Sequence, residues 1–382
     1  MTPAPLRRAV LLVTAALLGL LGTAAPAYAH GADAPDGTDY RTIVTGITPA
    51  RPGLTVRAVE AGARLELVNH TGRDVEVTGY SGEPYLRVGP GGAYENARSP
   101  ATYLNRTLAG DTALPATADP AAAPQWRRIS DDQRVRWHDQ RALWRESGVP
   151  AQVAADPGRE HRVREWTVPL RAGDEPVELH GTLDWVPPPD PYPWWVAATL
   201  GALLVGAAGL LPAGTGAGSR ALRGVGAVLA LGGAAAVSLV LGRELDAGAQ
   251  GVGGVLLGLL AGQLWPLLTG LGAMAAGGWA LARRPAADFV LALAGACLTL
   301  FVGVANLTVL SRAVAPVPWS GGTARVLLTG VLIGGVGAVG AGLLRLHAAA
   351  RAATPAGGIN ADAAAGSRGA VPGGAGPAGP SR

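Results

Sequence analysis

The 382-residue sequence has one cysteine, no lysine, two methionines and two phenylalanines. The single cysteine, Cys297, lies in an apolar stretch. That excludes an intramolecular disulfide, a CxxC redox pair and a thiolate zinc cluster, so the polar N-terminal half must be held by its core. Every basic side chain is arginine, and alanine and glycine are abundant, the composition of a high-GC genome. A nucleic-acid-binding face is excluded as well. Although the pI is near 9.6, residues 30–193 carry 23 acids against 18 arginines, a net −5. The excess sits in residues 194–382, with 11 arginines against 4 acids, and in Arg7 and Arg8. Basic charge beside apolar stretches marks the edge of a membrane region.

What the chain has is a three-part layout. Arg7 and Arg8 precede an apolar run over 9–24, and Ala27-Tyr28-Ala29 offers a small-x-small cleavage pattern, so 1–29 read as a secretory signal peptide. The competing reading is an uncleaved first membrane helix. Cleavage after Ala29 leaves His30 as the mature N-terminus, where the α-amine and imidazole of one residue can chelate a metal ion.

Residues 194–346 are almost wholly apolar. A span needs roughly 20 such residues to cross a hydrocarbon core of about 30 Å, and five are expected: 194–213, 222–242, 251–282, 286–310 and 322–346. The third is too long for one upright span and too short for two, and Pro266 predicts a kinked or tilted helix with 251–256 at the interface. Arg220, Arg223, Arg283, Arg284, Arg345 and Arg351 fall on one side, leaving Arg243, Arg312 and Arg325 on the other. The positive-inside rule puts the N-terminal domain outside and the C-terminus in the cytoplasm. Trp194, Trp195 and Trp319 mark the outer boundary. Gly254, Gly258 and Gly262, like Gly330 and Gly334, predict close helix packing. The GxGxxG at Gly335–Gly340 lies inside a span and is no dinucleotide site. Gln263 and Asn306 read as helix-to-helix hydrogen bonders, and with Glu244, Asp246 and Asp288 at span ends, ion-coupled transport is disfavoured.

Alternating segments TIVTGI (42–47), LTVRAV (54–59), RLELVN (64–69), VEVTGY (75–80), PYLRVG (84–89), RVREWTVPL (162–170) and VELHGTLDWV (177–186) read as strands separated by turn residues. They predict an all-β, sandwich-like domain over 30–185. Residues 111–125 form a Pro/Ala loop, 186–193 a Pro-rich tether, and 347–382 a low-complexity tail expected to be disordered.

The densest chemistry lies in Arg134–Arg145. As a helix it would set Trp137 and Trp144 on one face. As a strand entering a loop it would turn Val135 and Trp137 inward and present His138 at the rim. It reads either as a structural corner with an Arg–Asp link, or as a site using His138 and Asp139. Gly79-Tyr-Ser81-Gly-Glu83 narrowly misses the GxSxG elbow and sits in a strand-rich segment, so no catalytic residues are assigned.

The run GYSGEPYLRVGPGGAYEN (79–96), SPATYLN (99–105), Trp137-His138-Asp139 and the later WTVPL and GTLDWVP resemble a group of actinobacterial membrane proteins with an exported W-H-D-motif β domain and a five-span bundle. The likeness covers the exported domain best. In that group the central segment tends to read W-H-D-H-R-x-H-W, which implies metal. Here Gln140 and Leu143 replace the second and third histidines, leaving His138.

The expected protein is therefore a multi-pass membrane protein whose exported domain serves as a non-enzymatic binding or assembly module of the cell envelope. Glu83, Tyr85, Arg87, Trp137, Asp139, Arg141 and Trp144 form its candidate surface, since aromatics and arginine dominate interface anchors. Its expected partners are the lipid bilayer, an envelope protein and further copies through helix packing, with no nucleic acid. The alternative is a copper-handling protein using His30 and His138, because imidazole suits copper.

Overall fold

The computed structural model describes residues 37–352. The expected signal peptide, His30 and the tail from 353 lie outside the described residues. Within them, an antiparallel β domain precedes a helical region.

The β domain contains β1 (Tyr40–Thr48), β2 (Leu54–Val59), β3 (Arg64–Asn69), β4 (Val75–Thr78), β5 (Pro84–Gly89), β6 (Gly92–Asn96), β7 (Trp126–Ser130), β8 (Arg134–Trp137), β9 (His161–Ala172) and β10 (Glu175–Trp185). All seven expected strands are present. β6 and β7 were not anticipated, and residues 134–137 adopt the strand alternative. A seven-stranded sheet runs in the order β1-β10-β9-β4-β5-β6-β7, and a smaller one in the order β2-β3-β8. Period-two alternation turns Leu65 and Leu67 of β3, and Val135 and Trp137 of β8, into a core shared with Val77, Leu86, Val168, Leu170 and Leu179 of the larger sheet. Without disulfides, this shared core is what holds the two sheets together.

The helical region comprises α1 (Tyr192–Ala207, continued to Leu210 by a 3-10 turn), α2 (Gly216–Asp246), α3 (Gly251–Gly262), α4 (Leu264–Leu281), α5 (Ala287–Leu298) and α6 (Gly321–Ala352). A π-helical turn, Thr299–Gly303, and a 3-10 segment, Val304–Leu310, extend α5. Five of these rods are long and apolar enough to cross a membrane: α1, α2, α4, extended α5 and α6. The third apolar stretch is not one kinked helix. It breaks at Gln263 into α3 and α4, because the Pro266 ring would collide with the carbonyl four residues earlier, whereas within the first turn of α4 its missing N–H costs nothing. The last helix reaches Ala352, so the expected tail begins as helix.

Glycine sets the helix spacing. A Cβ on Gly334 would stand 2.9 Å from the Val228 carbonyl, and one on Gly277 would overlap the Gly226 carbonyl. Gly258 behaves differently, since it faces the Glu244 carboxylate and not a helix backbone. Asn306 accepts from Arg243 at 2.7 Å, linking α5 to α2. At the opposite end Arg345 of α6 binds Asp288 of α5 at 2.6 Å.

The outer face of the smaller sheet docks on the bundle. Strand register aligns Arg57, Glu66 and Arg136 in one row across β2, β3 and β8. The Glu66 side chain has 0% exposure. It accepts from Arg57 Nε at 2.8 Å and from Arg136 Nε at 2.6 Å. Gly248, just past α2, caps this row. Its carbonyl accepts from Arg136 at 3.0 Å, its φ is +87°, and a Cβ there would stand 2.8 Å from both the Arg57 guanidinium and the Glu66 carboxylate. Asp246 accepts from the backbone N–H of Ala61 at 2.7 Å, in the β2–β3 turn. Thr38 also pairs with Val314 in an antiparallel bridge, and Asp39 binds Arg312 at 2.5 Å.

Glu66→Gln removes the charge that balances these arginines, and because the arginines are partly exposed the expected loss is about 2–3 kcal/mol. Gly248→Val is expected to cost a similar amount through steric overlap and its left-handed backbone, roughly 2–3 kcal/mol. Thermal unfolding of the full chain in detergent measures both, and the double variant should lose less than the sum, since both break one interface.

Candidate functional site

β8, an edge strand of the smaller sheet, delivers Trp137–Trp144 to a tight corner. Asp139 caps the 3-10 turn Gln140–Ala142 by accepting from the Arg141 backbone N–H at 3.1 Å. Its two oxygens also accept from Trp137 Nε1 at 3.0 Å and from Arg141 Nε and Nη2, both at 2.8 Å. Arg141 then donates to the Thr78 carbonyl at 3.1 Å, with its guanidinium 5.0 Å from the Tyr80 ring centre. The Tyr80 hydroxyl meets Asn105 Oδ1 at 2.5 Å and accepts from the Gln140 N–H at 2.9 Å. Tyr85 lies buried beside the same Asn105. Glu83 accepts from Ser99 Oγ at 2.6 Å and from the Ser81 N–H at 2.9 Å.

Five of the seven expected surface residues therefore meet in one polar cluster, but the cluster is internal. Glu83, Tyr85, Trp137 and Asp139 are at most 4% exposed and cannot touch a partner directly. Trp137 points into the core because it shares a strand face with Val135, and Tyr85 is buried as well. Asp139 is saturated with donors, which suits a structural corner and leaves no lone pair free for acid–base work. Ser81 stands in the exposed turn between β4 and β5, where Gly79 N–H bonds the Glu83 carbonyl. That turn is not a strand–turn–helix elbow.

Histidine gives no shared centre. His138 is buried, not presented at a rim. Its Nδ1 lies 2.8 Å from the Ala63 carbonyl, which can only accept, so Nδ1 carries the proton and Nε2 accepts from Arg64 Nε at 3.2 Å. A guanidinium thus occupies the position a metal would need. His161 bonds the Asp156 carbonyl at 2.7 Å, and His180 faces Glu178 at 3.5 Å. Among the described residues no three His, Cys, Asp or Glu side chains are placed around one ion.

The two remaining expected residues lie elsewhere. Trp144 stacks on Tyr40 at 6.2 Å, with the Arg164 guanidinium 5.6 Å from its ring centre. Arg87 sits on the outer face of the larger sheet, 4.5 Å from the Trp126 ring centre and 4.9 Å from that of Tyr94. Register places Arg171, Glu76, Arg87, Tyr94 and Arg128 in one row across β9, β4, β5, β6 and β7. This row is the charged and aromatic surface that the isolated motifs only hinted at. Glu66, Asp39 and Gly248 were missed. The available signal was the outward charge repeated on three strands, Arg57, Glu66 and Arg134/Arg136, which resembles an ordinary wetted face.

Burial, with Asp139 adding to it, raises the Tyr80 and Tyr85 hydroxyls above their ordinary value near 10.0. The folded state therefore keeps these protons when the unfolded chain has lost them. Their contribution is complete below about pH 10 and declines as pH climbs through the raised values. Tyrosinate absorbance should lag behind that of free tyrosine, and Tyr85→Phe should flatten the alkaline fall in stability seen by tryptophan fluorescence. No protein-family model, no curated protein and no solved structure matches this chain.

Proposed function

We propose that this multi-pass membrane protein displays its β domain on the extracytoplasmic side as a non-enzymatic binding or assembly module of the cell envelope. The observation that carries this reading is the division of labour between the two outer sheet faces. The smaller sheet spends its charged row on the bundle, while the polar partners of the Arg171–Glu76–Arg87–Tyr94–Arg128 row among the described residues, Asp74, Gly91 and Asp131, all belong to the β domain itself. Arginine held between aromatic rings is a preorganised anchor, because little rotamer freedom remains to be lost on contact. The arginine distribution supports the orientation. On the β-domain side Arg243, Arg312 and Arg325 are all committed, to Asn306, Asp39 and the Arg312 carbonyl. The opposite side keeps Arg220 and Arg223 in the first turns of α2, and Arg283 and Arg284 in the connection between α4 and α5.

Two measurements test this. In intact cells a membrane-impermeant maleimide should label Thr167→Cys and spare Arg284→Cys, and the reverse pattern overturns the orientation. A photoreactive residue at position 128 should crosslink to a discrete envelope protein, and Arg87→Ala should reduce that product at least tenfold. A product indifferent to Arg87→Ala, or none at all, rejects the face as a binding surface.

A further inference from the structure

Where β1, the β2–β3 turn and the chain beyond the Asp139 corner meet, the β domain holds a cleft of about 490 Å³. The Tyr40 and Trp144 rings line it, together with Thr42 of β1 and Leu183 of β10. The two rings lie near parallel, at 16°, with their centres 6.2 Å apart. That separation is toward the long end for stacked rings, so they overlap only in part and leave ring face to the cleft. Both rings are held in place. Trp144 Nε1 donates to the Gly148 carbonyl at 2.8 Å, and Trp185 meets Tyr40 edge-on at 5.3 Å. A further side is the β2–β3 turn, where Glu60, Ala61 and Gly62 all have left-handed backbone, with φ of +56°, +54° and +86°. Asp246 fixes the Ala61 N–H at 2.7 Å. Backbone of this kind persists only where its surroundings hold it in one shape.

Among the residues lining this cleft, Arg145 is the one charged side chain, and it is exposed. Its Nη1 donates to the Leu108 carbonyl at 3.0 Å, and among the described residues no carboxylate pairs with it. The acids that adjoin the lining residues in sequence are engaged elsewhere. Asp39 pairs with Arg312, Glu60 with Arg64 and Glu146 with Arg164, while Asp111 accepts from Thr107 at 3.0 Å. Arg145 is thus left as a surplus cation. The Tyr40 hydroxyl likewise has no hydrogen-bond partner among the described residues. Each vacancy calls for its own chemistry. A guanidinium without a protein carboxylate matches the two oxygens of a ligand carboxylate. A partly uncovered aromatic face takes the flat side of a ring, and a free phenol hydroxyl bonds a polar substituent. An acidic sugar carries all three features. A neutral sugar lacks the carboxylate, and a hydrocarbon ring acid lacks the hydroxyls.

We infer that this cleft binds an acidic sugar residue, its ring against Trp144 and Tyr40, its carboxylate on Arg145 and one hydroxyl on the Tyr40 phenol. The inference stands on the cleft alone. It does not require the contact at the outer sheet face, and it adds a ligand class at a second place on the same domain.

The test titrates the full chain with methyl glucuronide by isothermal calorimetry, in a polyoxyethylene detergent so that no detergent sugar competes. One saccharide should bind saturably per chain. Arg145→Gln should weaken binding roughly tenfold through loss of a charge-assisted pair, and Tyr40→Phe roughly threefold through loss of a neutral one. Both should leave the melting temperature unchanged, since the Tyr40 hydroxyl bonds no protein group and Arg145 is exposed. Methyl glucoside and phenylacetate should each bind roughly tenfold more weakly than the glucuronide. Failure of the glucuronide to saturate, or unaltered binding in both variants, overturns the site. Equal affinity for the glucoside or for phenylacetate overturns the acidic-sugar assignment. Crosslinking from position 128 should be indifferent to Arg145→Gln, so the cleft and the sheet face stand or fall separately.

Discussion

A carboxylate with no exposed surface joins the two parts of this protein. Glu66 is held by arginines from both neighbouring strands, and the chain leaving α2 closes over it through Gly248. Removing a carboxylate from water costs several kcal/mol even after relaxation. The cost is offset only by fixed geometry and full hydrogen bonding, and strand register supplies both. A pair of this kind adds little net stability over an apolar substitute, yet it is directional. Grease would allow the sheet to slide over the end of the bundle; this row allows one register. The remaining contacts, Asp246 with the β2–β3 turn and Asp39 with Arg312, are consistent with that single placement.

The β domain uses its two outer faces differently because their neighbours differ. Where the smaller sheet meets the bundle, outward polar residues become interior, and the usual rule that alternate strand residues are solvated fails. Where the larger sheet faces away, the same alternation leaves Arg87, Tyr94 and Arg128 in contact with one another and with solvent. Between the sheets, the Asp139 corner locks Trp137 and Tyr80, so the cluster that drew attention in the sequence supports the fold from within.

Patterns of local period were readable in the chain: seven strands by alternation, five crossings by apolar length, and the choice between two conformations for Arg134–Trp137. β6 and β7 escaped because glycine and consecutive arginines blur a two-residue period, as in Gly92–Asn96 and Trp126–Ser130. The break at Gln263 was half visible through Pro266, whose effect depends on whether a helix continues behind it. Burial of His138, Tyr85 and Asp139 was not legible, since it follows from contacts with Ala63, Asn105 and Arg141 that no local pattern encodes. Candidate surface residues chosen by chemistry alone were therefore drawn inward, while the exposed row emerged only from register between strands far apart in sequence.

The docking contacts also impose an order on biogenesis. Ala61 binds Asp246 across 185 positions, and Asp39 binds the Ala313 backbone across 274. A ribosome that has finished the β domain has yet to make either partner, so the row around Glu66 stays uncapped through the insertion of α1 and α2, and the Asp39 clasp waits until the loop after extended α5 emerges. Closing such long loops is slow and leaves intermediates with unpaired groups on show. The half-built protein must therefore pass through a stage in which the Glu66 carboxylate is still wet, and the docking of its β domain is completed only after the loop beyond extended α5 has been made.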